Sequence, residues 1–371
     1  MELFKKSKLM FWSIWLLVIA TLIFMSTKID FIFQPITTFV STLFTPILVA
    51  GFLYYLLNPI VNIMEKTNIK RKYSILIILL LFIGILVVLI VSVLPVLVSQ
   101  IGEFIANIPD LIKALEAYSR EIIRQPWLKD FNIEKSMNEL DLSIGNVANI
   151  VFSGITNSVG SIFGAVANTT IVIFTAPIIL FYMFKDGQQF RPAVAKFFPK
   201  EFRGQLIELL GQMNKTIASY ISGQSLVCLM VGIFTFIGYM ITGMPYALLL
   251  GIIAGVTNII PYVGPYIGAA PAVIIGLTIS PTKAILVALV VLVVQQIDGN
   301  FISPNVIGKT LDIHPLTIIV ILLVAGNLAG LLGMILGVPF YAVVKTIVVY
   351  LHDMINIKKR HQSSQLEEVR K

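Results

Sequence analysis

One carboxylate stands apart in a long apolar stretch of this chain. Asp298, within Gln295-Gln296-Ile297-Asp298-Gly299-Asn300, is the only acid between Glu208 and Asp312. An ionised group at membrane depth is expensive to keep, and where one is kept it commonly binds or passes an ion. Asp298 is therefore a candidate for carrying or gating a proton or sodium-like cation coupled to transport. The plainer alternative puts it at the membrane interface, capping a helix or pairing with Lys283 or Lys309.

Neutral polar groups form the second candidate set. Asn258-Ile259-Ile260-Pro261-Tyr262-Val263-Gly264-Pro265-Tyr266 holds prolines and glycines that break a helix and free backbone carbonyl and amide groups. Asn258, Pro261, Tyr262, Gly264 and Tyr266, with Gln295, Asn300 and Asn327, are the residues expected to line a solute pocket. Uncharged amides and phenols suit a small hydroxylated solute. For any one of them the competing role is helix capping or interhelical hydrogen bonding, worth about 0.6–2 kcal/mol. His314, just before Pro315, fits a helix start better than a proton relay. A lone cysteine, Cys228, and the lack of a histidine–acid cluster leave no metal centre to build. No nucleophile–base set suggests an enzyme, and no cofactor is expected.

The elements that must position these groups follow from composition. Hydrophobic residues make up 57% of the 371 positions and charged residues 12%. That is about half the charged content of a soluble domain. Runs such as Tyr73 to Val98 and Ile217 to Thr242 match the ~20 apolar residues needed to cross a bilayer core. They are too long and too continuous for barrel strands, so helices are expected. The opening lysines and the apolar stretch from Leu9 to Met25 resemble a signal peptide. That stretch exceeds the usual ~7–15-residue hydrophobic region and lacks a small-residue cleavage site, so it reads as a first span.

Lys and Arg in short loops set the orientation. Lys5, Lys6 and Lys8 place the amino terminus in the cytoplasm, and spans at 9–27 and 31–57 return the chain to the basic loop Lys66 to Lys72. A third span leads out to an acidic region, in which Leu97, Ile101, Phe104, Ile108, Leu111, Leu115 and Ile122 recur at helical spacing. The plain reading of that stripe is packing on the protein's own surface; an outer leaflet or a second subunit are the alternatives. Gly160 and Gly164 allow close helix approach within or between subunits. The fourth span ends at a basic segment, Lys185 to Lys215. The net charge of +8 gathers in these inner loops and at Lys358-Lys359-Arg360, which suits anionic lipid and calls for no nucleic acid.

Beyond Lys215 the pattern repeats. One span precedes a Gly- and Pro-broken stretch, Ala247 to Ser280, whose arms are short for a crossing; a second span, near 284–298, precedes another, Pro315 to Tyr350. From Asn258 the offsets to Gly264, Gly268 and Pro271 are six, ten and thirteen; from Asn327 those to Gly333, Gly337 and Pro339 are six, ten and twelve. The first unit starts inside and the second outside, so the two have opposite orientation. Inverted repeats with broken helices mark secondary transporters, with the site near the membrane midplane.

The expected fold is an all-α polytopic membrane protein, with about six full transmembrane helices plus two re-entrant helical hairpins forming an inverted repeat. Its segments are three spans at 1–98, an extracytoplasmic amphipathic region at 99–150, a fourth span at 151–184 and a cytoplasmic basic segment at 185–216. Span-plus-hairpin units at 217–280 and 281–350 follow, then a cytoplasmic basic tail at 351–371.

The stretch Asn258 to Ala272, with Gln295 to Pro315, Gly326 to Pro339 and Tyr220 to Gln224, resembles the autoinducer-2 exporter family of bacterial permease-like proteins. The resemblance covers essentially the whole chain and is specific in the second half. It implies export of a small polar solute, autoinducer-2 in the name-giving case, and sodium or lithium/proton exchange in other members. It also implies a homo-oligomer, a pentamer, with a scaffold half and a mobile half. A non-transporting membrane scaffold is the remaining alternative.

Overall fold

The computed structural model describes residues 8–28, 30–123, 153–154, 170–306 and 313–370. Among them every regular element is helical. Helices α1 (Lys8–Lys28), α2 (Asp30–Lys66), α3 (Arg71–Ser92) and α4 (Leu94–Ile123) come first, followed by α5 (Thr170–Ala195) and α6 (Arg203–Ile241). Next are α7 (Ala247–Thr257), α8 (Gly264–Ile279), α9 (Pro281–Ile297), a π-helical turn Asp298–Ile302, α10 (Ser303–Val306) and α11 (Pro315–Arg370). Five described helices are long and apolar enough to cross a membrane: Gln34–Lys66, Arg71–Ser92, Lys200–Ile241, Pro281–Val306 and Pro315–Met354. With only lipid around them, such helices satisfy their backbone internally and turn apolar side chains outward, as Leu80, Leu81, Ile90 and Val91 do on α3. The chain is a multi-pass membrane protein.

Helices α2, α3 and α5 share a core of Leu57, Val61, Ile75, Ile78, Leu180 and Phe184. Asn68, at φ 65°, reverses the chain between α2 and α3. Arg71 then ties the group together, its Nε and Nη2 donating to the Phe184 carbonyl at 3.2 Å and its Nη1 to Glu65 at 2.9 Å.

The expected stripe on the acidic region lies on α4. Leu97, Ile101, Phe104, Ile108 and Leu111 pack against Tyr239, Met244, Leu249, Leu250, Ala272 and Ile275, so the stripe covers the protein's own surface. Gln100 Oε1 accepts from the Leu249 backbone N–H at 3.0 Å, taking up one of the orphan donors of the first turn of α7. Asn107 Nδ2 donates to the Tyr246 hydroxyl at 2.8 Å. Gly160, Gly164, Lys309 and Asp312, and the start of the expected fourth span, lie outside the described residues.

Both expected hairpins have helix–turn–helix geometry. The first is α7, the turn 258–263 and α8. At a rise of about 1.5 Å per residue, its arms of 11 and 16 residues reach roughly 16 and 24 Å, short of a ~30 Å hydrocarbon core. The second is α11, broken at Ala329 (φ −137°, ψ 19°) and Gly330 (φ 58°, ψ −139°). Glycines close both. A Cβ on Gly264 would lie 2.0 Å from the Thr257 carbonyl oxygen, and one on Gly333 would lie 1.9 Å from that of Ala325. Four residues on, Gly268 meets Ala254 and Gly337 meets Ala325, each at under 3 Å for an added Cβ.

Helix α6 holds both hairpins. Its C-terminal half crosses α7 with almost no side-chain layer between them: a Cβ on Gly251 would meet Phe236 Cβ at 2.7 Å, and one on Gly255 would meet the Cys228 carbonyl at 2.9 Å. Its N-terminal half takes the returning arm of α11, with Thr216 and Thr346 hydroxyls 3.2 Å apart and the Tyr350 hydroxyl donating to the Gln205 carbonyl at 3.1 Å. The open end of the first hairpin thus lies at the C-terminal end of α6, and that of the second at its N-terminal end.

Candidate functional site

The hairpins overlap at the middle of α6, where Tyr220, Ile260, Leu322 and Val338 form one buried cluster flanked by Ile221, Ile259, Ile318 and Met334. Ile259 and Ile260 come from the first turn, the α11 residues from both arms of the second hairpin. Gln224, one turn beyond Tyr220, sends Nε2 to the Asn258 carbonyl at 2.7 Å. This is the acceptor that a helix end leaves over, and Gln224 satisfies it without water. Asn258 is buried, 3% exposed.

The other predicted tip residues divide between inside and surface. Pro261 is half-buried, and Gly264 is buried against the Thr257 carbonyl. Tyr262 takes a left-handed conformation at φ 63°. Its side chain is 47% exposed and that of Tyr266 79% exposed. Asn327 is exposed near the break in α11, and Asn300 is exposed with its Nδ2 donating to Gln296 Oε1 at 2.9 Å. Asn258 and Gln295 point to the interior, while Tyr262, Tyr266, Asn300 and Asn327 are displayed on the surface of the single subunit.

Gln295 lines a small cavity of about 10 Å³, partly open to the surface, between α6, α7, α8 and α9. Val231, Thr235 and Tyr239 enter it from one face of α6, Ala254 from α7, Pro265 and Ala269 from α8, and Val291, Val294 and Gln295 from α9. Tyr239 is fully buried and its hydroxyl has no hydrogen-bond partner among the described residues; Thr235 is 3% exposed. The sequence reading passed over Tyr220, Gln224, Thr235 and Tyr239 as site residues. Their signal was present: polar side chains on a repeating face of an otherwise apolar span, with Val227 and Val231 between.

Asp298 opens the π-helical turn and is half-buried. Its Oδ1 accepts from the Ser303 hydroxyl at 2.7 Å. Lys283 is not its partner: it stands at the opposite end of α9, fifteen positions before the acid, and its ammonium donates to the Thr242 carbonyl. His314 does stand at a helix start, its Nδ1 accepting from the Leu316 N–H at 3.3 Å.

An all-helical membrane fold whose two broken hairpins clasp one helix from opposite ends belongs with the transporters rather than with receptors or anchors built from unbroken spans. The chain belongs to the AI-2E family of transporters, matching that family over residues 12–353. It is similar to YueF of Bacillus subtilis (strain 168), named as a transport protein, with 46% identity over 98% of both chains. YrrI of the same organism, also named as a transport protein, is 33% identical over 94% of this chain and 98% of its own length. PerM of Escherichia coli (strain K12), named as a permease, is 29% identical over 84% of this chain and 88% of its own.

Proposed function

We propose that this chain exports a small polar solute of the autoinducer-2 kind across the bacterial cell membrane by alternating access. The observation that carries the reading is the pair of hairpins entering from opposite ends of α6 and overlapping at Tyr220, Ile260, Leu322 and Val338. In a membrane, short arms that turn back part-way expose backbone only where protein or water surrounds it. The hairpins then act as two re-entrant gates, one facing each side, and the polar groups around the turns bind the solute between them. Asn258, Pro261, Tyr262, Gly264, Tyr266, Gln295, Asn300 and Asn327 are the residues assigned to that path. Helices α2, α3 and α5, with their own core, serve as the scaffold, and the α6–α11 unit is the mobile part. Both termini lie in the cytoplasm, the basic loops face anionic lipid, and the working form is a homo-oligomer, a pentamer by resemblance.

A second reading is favoured by Asp298, a half-buried carboxylate on an irregular π-helical turn held by Ser303. In a sodium or lithium/proton antiporter it would exchange ions at that turn. The two readings separate in proteoliposomes holding the purified full chain. Efflux of labelled autoinducer-2 without cation/proton exchange supports the exporter; exchange without efflux, abolished by Asp298→Asn, replaces it with the antiporter; neither flux in sealed vesicles leaves a non-transporting scaffold.

A further inference from the structure

The cavity between α6, α7, α8 and α9 lies along the arms of the first hairpin. Val231, Thr235 and Tyr239 are spaced by four on α6, so they form one wall. Gln295 faces them from α9, and Pro265 and Ala269 form a wall from α8 that carries no long side chain. Tyr239 is one of the lining residues; it is fully buried, and its hydroxyl is unpartnered among the described residues. A hydroxyl held in that state costs free energy, and such groups are characteristically completed by a ligand or solvent group. The volume of about 10 Å³ is that of one oxygen-sized group.

The chemistry of the lining selects the occupant. No carboxylate, ammonium or guanidinium group borders the cavity, so a cation would lose its hydration without a compensating charge. A neutral O–H group is matched: phenol and threonine hydroxyls both donate and accept, and the Gln295 amide offers one of each. The closed end of the gap is at Ser280, where Gly276 presses on Ala284, and its free end is at Pro265 and Gln295.

We propose that Thr235, Tyr239 and Gln295 form a hydroxyl-binding subsite of the transport path, taking one O–H group of a neutral polyhydroxylated solute when the first hairpin swings from α9. The inference rests on the transport reading above. The hydroxyl could belong to solute or to a resident water, and the test separates them.

Full-length protein carrying Cys228→Ala has no thiol, so Ala269→Cys introduces one into the cavity wall and Leu289→Cys one on the exposed apolar face of α9. In proteoliposomes a small water-soluble methanethiosulfonate reagent should label Ala269→Cys at least tenfold faster than Leu289→Cys. Erythritol should slow that labelling several-fold, methylurea should not, and adding Tyr239→Phe should abolish the protection. Equal labelling of the two cysteines overturns the site. Fast labelling that erythritol leaves unchanged, or protection that persists in Tyr239→Phe, also overturns it, the first of these leaving water as the occupant. Should Ala269→Cys fail to fold, Val231→Cys on the facing wall reads the same space. Solute efflux from wild-type vesicles is measured in parallel. Protection without efflux defeats the carrier reading and keeps the subsite, whereas efflux without protection does the reverse.

Discussion

The side chain of Gln224 donates to the carbonyl of Asn258 at 2.7 Å, joining the middle of α6 to the last turn of α7 in a buried setting. An acceptor there cannot find water as a substitute. Gln224→Leu should therefore destabilise the protein by about 1–3 kcal/mol, the cost of a buried group left unmade. Gln224→Glu, of the same shape but without the N–H, should lose a similar amount when ionised. Thermal unfolding of the detergent-purified chain measures both, and unchanged midpoints would show that this bond contributes nothing.

The two hairpins should be equally intolerant of a methyl group at the matching glycine. Gly264→Ala and Gly333→Ala place Cβ within 2.0 Å of a backbone oxygen, while nothing lies within 4 Å of a Cβ at Gly51 or Gly84. Fluorescence-detected gel filtration of tagged protein should show the monodisperse peak lost in the first pair and kept in Gly51→Ala and Gly84→Ala. A tolerant Gly333→Ala alongside a disruptive Gly264→Ala would break the equivalence of the two turns.

The grip of α4 on the first hairpin rests on Gln100 and Asn107 besides its apolar stripe. Removing the Gln100 acceptor from the first turn of α7 should cost about 1 kcal/mol, as loss of a helix N-terminal cap does. In a double-mutant cycle, Asn107→Ala and Tyr246→Phe should couple by about 0.5–1.5 kcal/mol. Additive effects of that pair would mean the 2.8 Å contact is idle.

At the other end of the molecule, Arg71 should be harder to replace than its acidic partner. Arg71→Lys keeps the charge but cannot send two N–H groups to the Phe184 carbonyl and a third to Glu65. The side chains are 21% and 30% exposed, so solvent screens the ion pair and Glu65→Gln should cost under about 1 kcal/mol. Unfolding midpoints should fall further for Arg71→Lys than for Glu65→Gln; the opposite order would assign the contribution to charge rather than to the carbonyl.

Much of this architecture was legible because lipid imposes simple rules. Long apolar runs became α2, α3, α6 and α9, the broken apolar stretch from Pro315 became α11, and the stripe from Leu97 to Leu111 became the packing face of α4. The matched offsets from Asn258 and Asn327 located glycines that close a helix–turn–helix in both places. What composition could not convey was which polar side chains face one another. Gln224 sits thirty-four positions before Asn258, and nothing in either segment alone signals their bond. The cavity beside Tyr239 arises from four helices at once, so no single run of residues announces it. Asp298 was visible by its isolation, yet its Ser303 partner depends on a π-helical turn whose wider spacing brings position i+5 within reach.

The glycine contact between α6 and α7 decides where the molecule is able to flex. Side-chain layers let packed helices slide by rotamer changes, but at Gly232, Gly251 and Gly255 backbone rests on backbone and no such lubricant exists. Those two helices are welded. Any rocking of the first hairpin carries α6 with it, and the compliance has to come from seams lined by ordinary side chains, such as the part of the α8–α9 seam beyond Gly276, where Pro265 and Ala269 share the cavity with Val291 and Gln295.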